Sequence, residues 1–187
     1  MAKFYDQLND KHVAFIKAQK MFFVATAPLS DAGRVNLSPK GYDSFRIIGP
    51  NRVAYADLGG SGAETLAHVR ENGRITFMFC AYDGAPNIMR LYGRGQAMQF
   101  NDPGFADEIS KFLPGHERAR DIIFADITHV QDSCGWAVPF YEYKGERDQL
   151  QRYIDHMELD AWHESRLTKN AKSIDGLPGM NRPEAAE

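Results

Sequence analysis

Cysteine is scarce in this chain: only Cys80 and Cys134 occur among 187 residues, far apart and in no Cys-x-x-Cys spacing. That excludes a disulfide framework and a zinc knuckle and leaves two free thiols, read as buried. An excess of one charge is also missing, since 22 Lys and Arg face 25 Asp and Glu for a net charge of -3. No basic footprint for a phosphate backbone can be assembled from that balance, so nucleic acid is not an expected partner. No apolar run approaches the ~20 residues that cross a bilayer, so no membrane partner is expected, and reduced thiols fit the cytoplasm. The short run Met21 to Pro28 ends in Ala-Thr-Ala like a signal-peptide core, but Asp6 and Asp10 stand where a positive segment belongs, and it reads as a strand. The six histidines never fall at His-x-x-x-His or His-Glu-x-x-His spacing, so no metal is expected. There is no internal repeat.

What the chain does have is 43% hydrophobic and 12% aromatic residues, enough to bury one core, with residues 1–170 forming a domain and 171–187 an irregular tail whose last residues are mobile. Leu8, Phe15 and Ile16 mark a short amphipathic helix to about Gln19. Met21 to Ala27 and Arg34 to Ser38 read as a hairpin around Pro28 and Asp31-Ala-Gly33, and Phe45 to Ile48 and Arg52 to Ala56 as a second around Gly49-Pro50-Asn51. Ser61 and Glu64 have capping-box spacing ahead of a helix that Asn72-Gly73 stops. Arg74 to Tyr82 and Ile88 to Phe100 flank Asp83-Gly84, with Gly93 and Gly95 on one face of the second strand where something approaches closely. Asp102-Pro103 opens a helix, Ile122 to Val130 returns to the sheet, and 135–143 reads as further extended chain. Leu150, Ile154, Met157 and Ala161 describe one long C-terminal helix. About six strands at hairpin spacing predict an α+β fold: an antiparallel, Greek-key-like split β-barrel with peripheral helices.

Four places carry candidate chemistry. Strand alternation sends Asn36, Ser38 and Lys40 to one side, giving donors and a positive charge that suit a flat polar heterocycle, or simply a polar strand face that turns at Ser-Pro-Lys-Gly41. The loop Gly59-Gly-Ser-Gly62 precedes a helix, so its amides and the helix dipole favour an anion, with Ser61 adding a hydroxyl; a capping box explains the same residues without a ligand. Arg90 between Met89 and Leu91 needs a partner, with Asp57 or Glu64 as the simple choices. Trp136 either packs on a ring system or fills the core.

In this order, Phe23-Val-Ala-Thr-Ala27, Val35-Asn-Leu-Ser-Pro-Lys-Gly41, Gly60-Ser-Gly-Ala-Glu-Thr65, Arg74-Ile-Thr-Phe-Met-Phe-Cys80, Gly135-Trp-Ala-Val-Pro139 and Ser173-Ile-Asp-Gly-Leu-Pro-Gly179 resemble the pyridoxamine 5'-phosphate oxidase-related FMN-binding proteins. The resemblance implies a homodimer with FMN between subunits. It implies Asn36, Ser38 and Lys40 along the flavin, Ser61, Gly62 and Thr65 at the phosphate, and Arg90 and Trp136 approaching from the adjoining strand or the partner. True pyridoxamine phosphate oxidases carry Ser-Arg-Lys at the helix start where this chain has Ser61-Gly62-Ala63, so two phosphate charges are missing unless Lys40, Arg74 or Arg90 compensates. Their Arg-Leu-His-Asp stretch is absent, which argues against vitamin B6 oxidation itself. The expectation is an FMN-dependent oxidoreductase acting on a small molecule, with no side chain identified as a general acid or base. The alternative is a non-catalytic carrier of FMN, haem or a deazaflavin on the same barrel.

Overall fold

Apolar alternation broken by turn dipeptides resolves, in a computed structural model describing residues 2–112 and 114–182, into eight strands and five helices. The strands are β1 (Lys3–Tyr5), β2 (Phe22–Thr26), β3 (Asn36–Lys40), β4 (Phe45–Gly49), β5 (Arg52–Asp57), β6 (Arg74–Cys80), β7 (Ile88–Gln99) and β8 (Asp121–Ser133). All pair antiparallel in one open sheet of order β3-β2-β6-β7-β8-β5-β4, with β1 against the far end of β8. This is the α+β split barrel expected, with two strands more than the hairpin count. Its interior is aromatic: Phe22, Phe45, Tyr55, Phe77 and Phe79 meet at centroid separations of 5.0 to 6.4 Å. Each such ring contributes roughly 1.5–3 kcal/mol by burial.

Helix α1 (Asp10–Ala18) begins on a reciprocal cap between Asn9 and His12. Helix α2 (Glu64–Asn72) ends as the sequence predicts, on Gly73 in the left-handed region at φ 70°. It lies across β2, β6 and β7. Gly95 of β7 makes that approach possible, and Gly93 serves the pairing with β8. A Cβ on Gly95 would sit 3.0 Å from Val69 of α2, and one on Gly93 would collide with the Asp126 carbonyl beside a register shift in β8.

Several local expectations are corrected. The Ser61–Glu64 capping box does not form: α2 is capped by Ala63 without a side-chain bond, and Glu64 accepts instead from the Ile174 amide at 3.1 Å. Helix α3 (Phe105–Ile109) starts later than Asp102, whose carboxylate accepts from the Gln99 amide at 2.7 Å. Segment 135–143 is not a strand. Gly135 is pressed onto the Asn87 backbone and Val138 turns back to bond its carbonyl at 2.9 Å. The long C-terminal helix is two, α4 (Gln149–Asp155) and α5 (Leu159–Lys169), because Arg118 reaches in to bond the Ile154 and Met157 carbonyls that a continuous helix would use internally.

Between α5 and residue 182 the described residues form no helix or strand, only a bridge between Lys172 and Pro178, and residues 183–187, expected to be mobile, lie outside the described residues. Cys80 is buried, whereas Cys134, expected to be buried too, is exposed past the end of β8. No helix among the described residues is long and apolar enough to cross a membrane.

Candidate functional site

Strand β3 forms one edge of the sheet, and its register on β2 sets Asn36 opposite Thr26, Ser38 opposite Val24 and Lys40 opposite Phe22. The three polar side chains therefore share the inward face, as alternation predicts. Their atoms are consumed by the protein itself. Asn36 Nδ2 donates to Thr26 Oγ1 (3.2 Å) and Thr65 Oγ1 (2.9 Å), while Ser38 Oγ donates to Asn36 Oδ1 (3.0 Å). Thr26 Oγ1 lies 3.0 Å from Nδ1 of the fully buried His68, whose pKa is pulled down by burial. Asn36 is thus a strut that fixes β3 to the first turn of α2.

Lys40 runs into a buried ionic cluster. Its Nζ is 3.1 Å from Asp57 Oδ2 and 5.6 Å from the Tyr55 ring centroid. Asp57 stands opposite Asp121 across β5 and β8, and Arg120 sits between them, 3.1 Å from Asp57 Oδ2 and 3.5 Å from Asp121 Oδ2. Burial pushes the Asp57 carboxyl up, but Arg120 and Lys40 more than offset it, so it titrates below the usual range. Burial and the Asp57 charge push Asp121 up to about 7. The third arm of the cluster is Arg120 Nη1, which donates to the Gly62 carbonyl at 2.6 Å.

That bond ties the cluster to the loop before α2. Gly59, at φ 93°, turns the chain against Trp162, and its amide donates to Asp57 Oδ1 at 3.1 Å. Carbonyls 60 to 62 then face inward: Arg166 Nη1 bonds Gly60 at 2.9 Å, and Asn170 Nδ2 lies 3.2 to 3.4 Å from all three. A trans peptide directs its N–H opposite its C=O, so the amides of Ser61, Gly62 and Ala63 are aimed away from these donors. Together with the first turn of α2, which has no side-chain cap, they form a cradle of backbone donors of the kind that suits an anion, with the Glu64 carboxylate lying against Gly62 at its edge. Ser61 is exposed at its lip and Thr65 buried behind it.

Six of the eight site residues named from sequence, Asn36, Ser38, Lys40, Ser61, Gly62 and Thr65, are therefore linked around one edge of the barrel. Arg90 and Trp136 are elsewhere in the chain. Arg90 bonds Ser133 Oγ at 3.3 Å, with neither Asp57 nor Glu64 as its partner, because strand alternation turns it to the outer face. Trp136 is 85% exposed, so it does not fill the core; Trp162 does. Sequence reading missed Thr26, His68, Arg120, Asp121, Arg166 and Asn170. Beside Lys40 opens a cleft of about 1390 Å³, bordered by Lys20, Tyr42, Tyr82, Tyr141 and Tyr143.

Comparison with known proteins gives the family and the fold. Residues 8–133 match the pyridoxamine 5'-phosphate oxidase family model. A pyridoxamine 5'-phosphate oxidase family protein of Aspergillus flavus, ustO, is 37% identical over 97% of this chain and 79% of its own length. Two solved structures share the fold. A variant of HupZ from Group A Streptococcus has a TM-score of 0.52 at 16% identity, covering 67% of this chain and 98% of its own. A Lactobacillus delbrueckii protein named after pyridoxamine 5'-phosphate oxidase has a TM-score of 0.51 at 12% identity, covering 67% and 94%. The family model spans two thirds of the chain and the relative is 37% identical across nearly all of it, and the chain belongs to the pyridoxamine 5'-phosphate oxidase family.

Proposed function

We propose that the protein is a cytoplasmic, homodimeric flavoprotein that binds FMN and acts as an oxidoreductase on a small molecule other than pyridoxamine phosphate. The observation that carries this reading is the cradle of outward amides at 61–63 on the N-terminus of the nine-residue α2, next to a sheet edge. A phosphate suits the cradle, and Ser61, Gly62 and Thr65 are the residues assigned to it. The ring would lie along β3, whose outer edge has unpaired peptide groups able to meet a pyrimidine edge, while Asn36, Ser38 and Lys40 hold that strand in place from within. When bound, FMN supplies hydride or electron transfer. The exposed Trp136 and the outward Arg90 suit a subunit interface, which is why a homodimer is part of the proposal.

The test is the visible spectrum of the purified protein followed by FMN fluorescence titration. A yellow protein or saturable micromolar binding (about -8 kcal/mol) supports the reading, and a colourless protein that leaves FMN fluorescence untouched overturns it. The missing basic pair after Ser61 favours one second reading, a non-catalytic carrier of FMN, haem or a deazaflavin. Reduction of bound flavin by NADH or NADPH with turnover separates the enzyme from the carrier.

A further inference from the structure

The family model ends at residue 133, yet the loop at 60–62 is shaped by residues beyond it. We infer that the C-terminal unit, residues 159–182, is the back wall of the phosphate cradle, in which Arg166 and Asn170 are positioning residues: Arg166 brings a buried positive charge behind the loop, and the neutral Asn170 holds its carbonyls. This rests on the FMN reading above.

Arg166 is only 4% exposed and makes no salt bridge among the described residues. Its guanidinium donates to Gly60 and Ser165 and lies 4.3 Å over the ring of Trp162, itself fully buried. Burial and the neighbouring Arg120 charge lower its pKa. The buried group thus holds three cations, Lys40, Arg120 and Arg166, against two carboxylates, Asp57 and Asp121. An uncompensated buried charge is costly, and a phosphate on the other side of a single peptide layer relieves it.

Asn170 is 0% exposed, and while its Nδ2 reaches carbonyls 60 to 62, its Oδ1 has no partner. The tail fixes Asn170 in turn. Met180 N bonds the Asn170 carbonyl at 2.8 Å, Arg70 donates to the Gly179 carbonyl, and a Cβ on Gly179 would collide with Asn170 and come within 2.9 Å of Ala63 Cβ. Arg34 holds Asp175, so the tail is also fastened beside the start of β3. The cradle is therefore clamped from behind by a segment with only one isolated bridge of its own.

The experiment compares FMN with riboflavin, which lacks the phosphate, by flavin fluorescence titration of the full chain, with thermal melts to verify folding. Wild type is expected to prefer FMN at least about tenfold, and Asn170→Ala and Arg166→Met to lose most of that preference while riboflavin affinity stays within about twofold. Arg166→Lys keeps the charge without the fork geometry and is expected to be intermediate; it stands in for Arg166→Met should that variant fail to fold. Folded variants that retain the full preference overturn the inference, as does a wild type that binds both flavins equally. A wild type that binds neither overturns the FMN reading instead.

Discussion

Replacing Arg120 with methionine tests the buried ionic cluster directly. The side chain is removed from between Asp57 and Asp121, leaving two carboxylates opposite each other with Lys40 as the cation that remains in bonding distance of Asp57. Breaking a buried pair by removing one partner costs about 3–5 kcal/mol, and the Gly62 carbonyl loses a donor worth about 1 kcal/mol. Methionine restores part of the packing, so a net loss of about 4 kcal/mol is expected. At about 2–4 °C per kcal/mol for a domain of this size, the melting temperature should fall by about 8–16 °C. The pH dependence has a definite sign. Without the guanidinium both carboxyls are pushed up, so the folded state binds protons more tightly than the unfolded chain, and the deficit shrinks as pH falls from about 7.5 to about 5. Adding Asp57→Asn removes the repulsion and should restore at least half of the loss. Thermal melts by circular dichroism at both pH values decide it: a change under about 3 °C, or a deficit that grows on acidification, refutes the account of the cluster.

Three further outcomes are expected. Asp121, pushed up to about 7 by burial and by Asp57, sits above its unfolded value of about 3.9, so wild-type stability should decline from about pH 4 to about 7 and Asp121→Asn should flatten that slope in a melting series; parallel slopes would place the titration elsewhere. Gly93→Ala puts a methyl group into the Asp126 carbonyl and should cost about 1–3 kcal/mol in urea unfolding, since backbone on both sides has to move. Trp136→Ala removes a ring that touches solvent, so monomer stability should change by less than about 0.5 kcal/mol, while sedimentation should register weaker dimerisation if the exposed loop meets a partner.

The hairpins were legible because their signals are local: β2 with β3 and β4 with β5 alternate in register and are separated by proline, glycine or asparagine turns, and Gly73 ends α2 where it must. What was illegible depends on distant partners. β1 is three residues long and exists by pairing with the end of β8. The apolar spacing from Leu150 to Ala161 runs on without a break, and only Arg118, reaching the Ile154 and Met157 carbonyls, divides α4 from α5. Segment 135–143 has strand composition, but strand propensity takes effect only against an available sheet edge, and Gly135 is held in a turn on Asn87.

The site shows the same division, with one signal that was available. Alternation on β3 correctly grouped Asn36, Ser38 and Lys40. It failed for Arg90, because the residues flanking a strand position face the opposite side; the neighbours that share its face are two away, and for Arg90 these are Ile88 and Tyr92, both only half-buried. Applied to Asp57, the same rule points inward: Tyr55 and Val53 share its face and are fully buried, so a carboxylate there requires a buried cation. Arg120 and Asp121 ahead of Ile122-Ile123 supply the matching charges in sequence, though nothing local brings them to Asp57; the pairing of β5 with β8 does. Arg166 and Asn170 had no such marker, since each looks like an ordinary polar position at the end of a helix until the tail folds back onto the 60–62 loop.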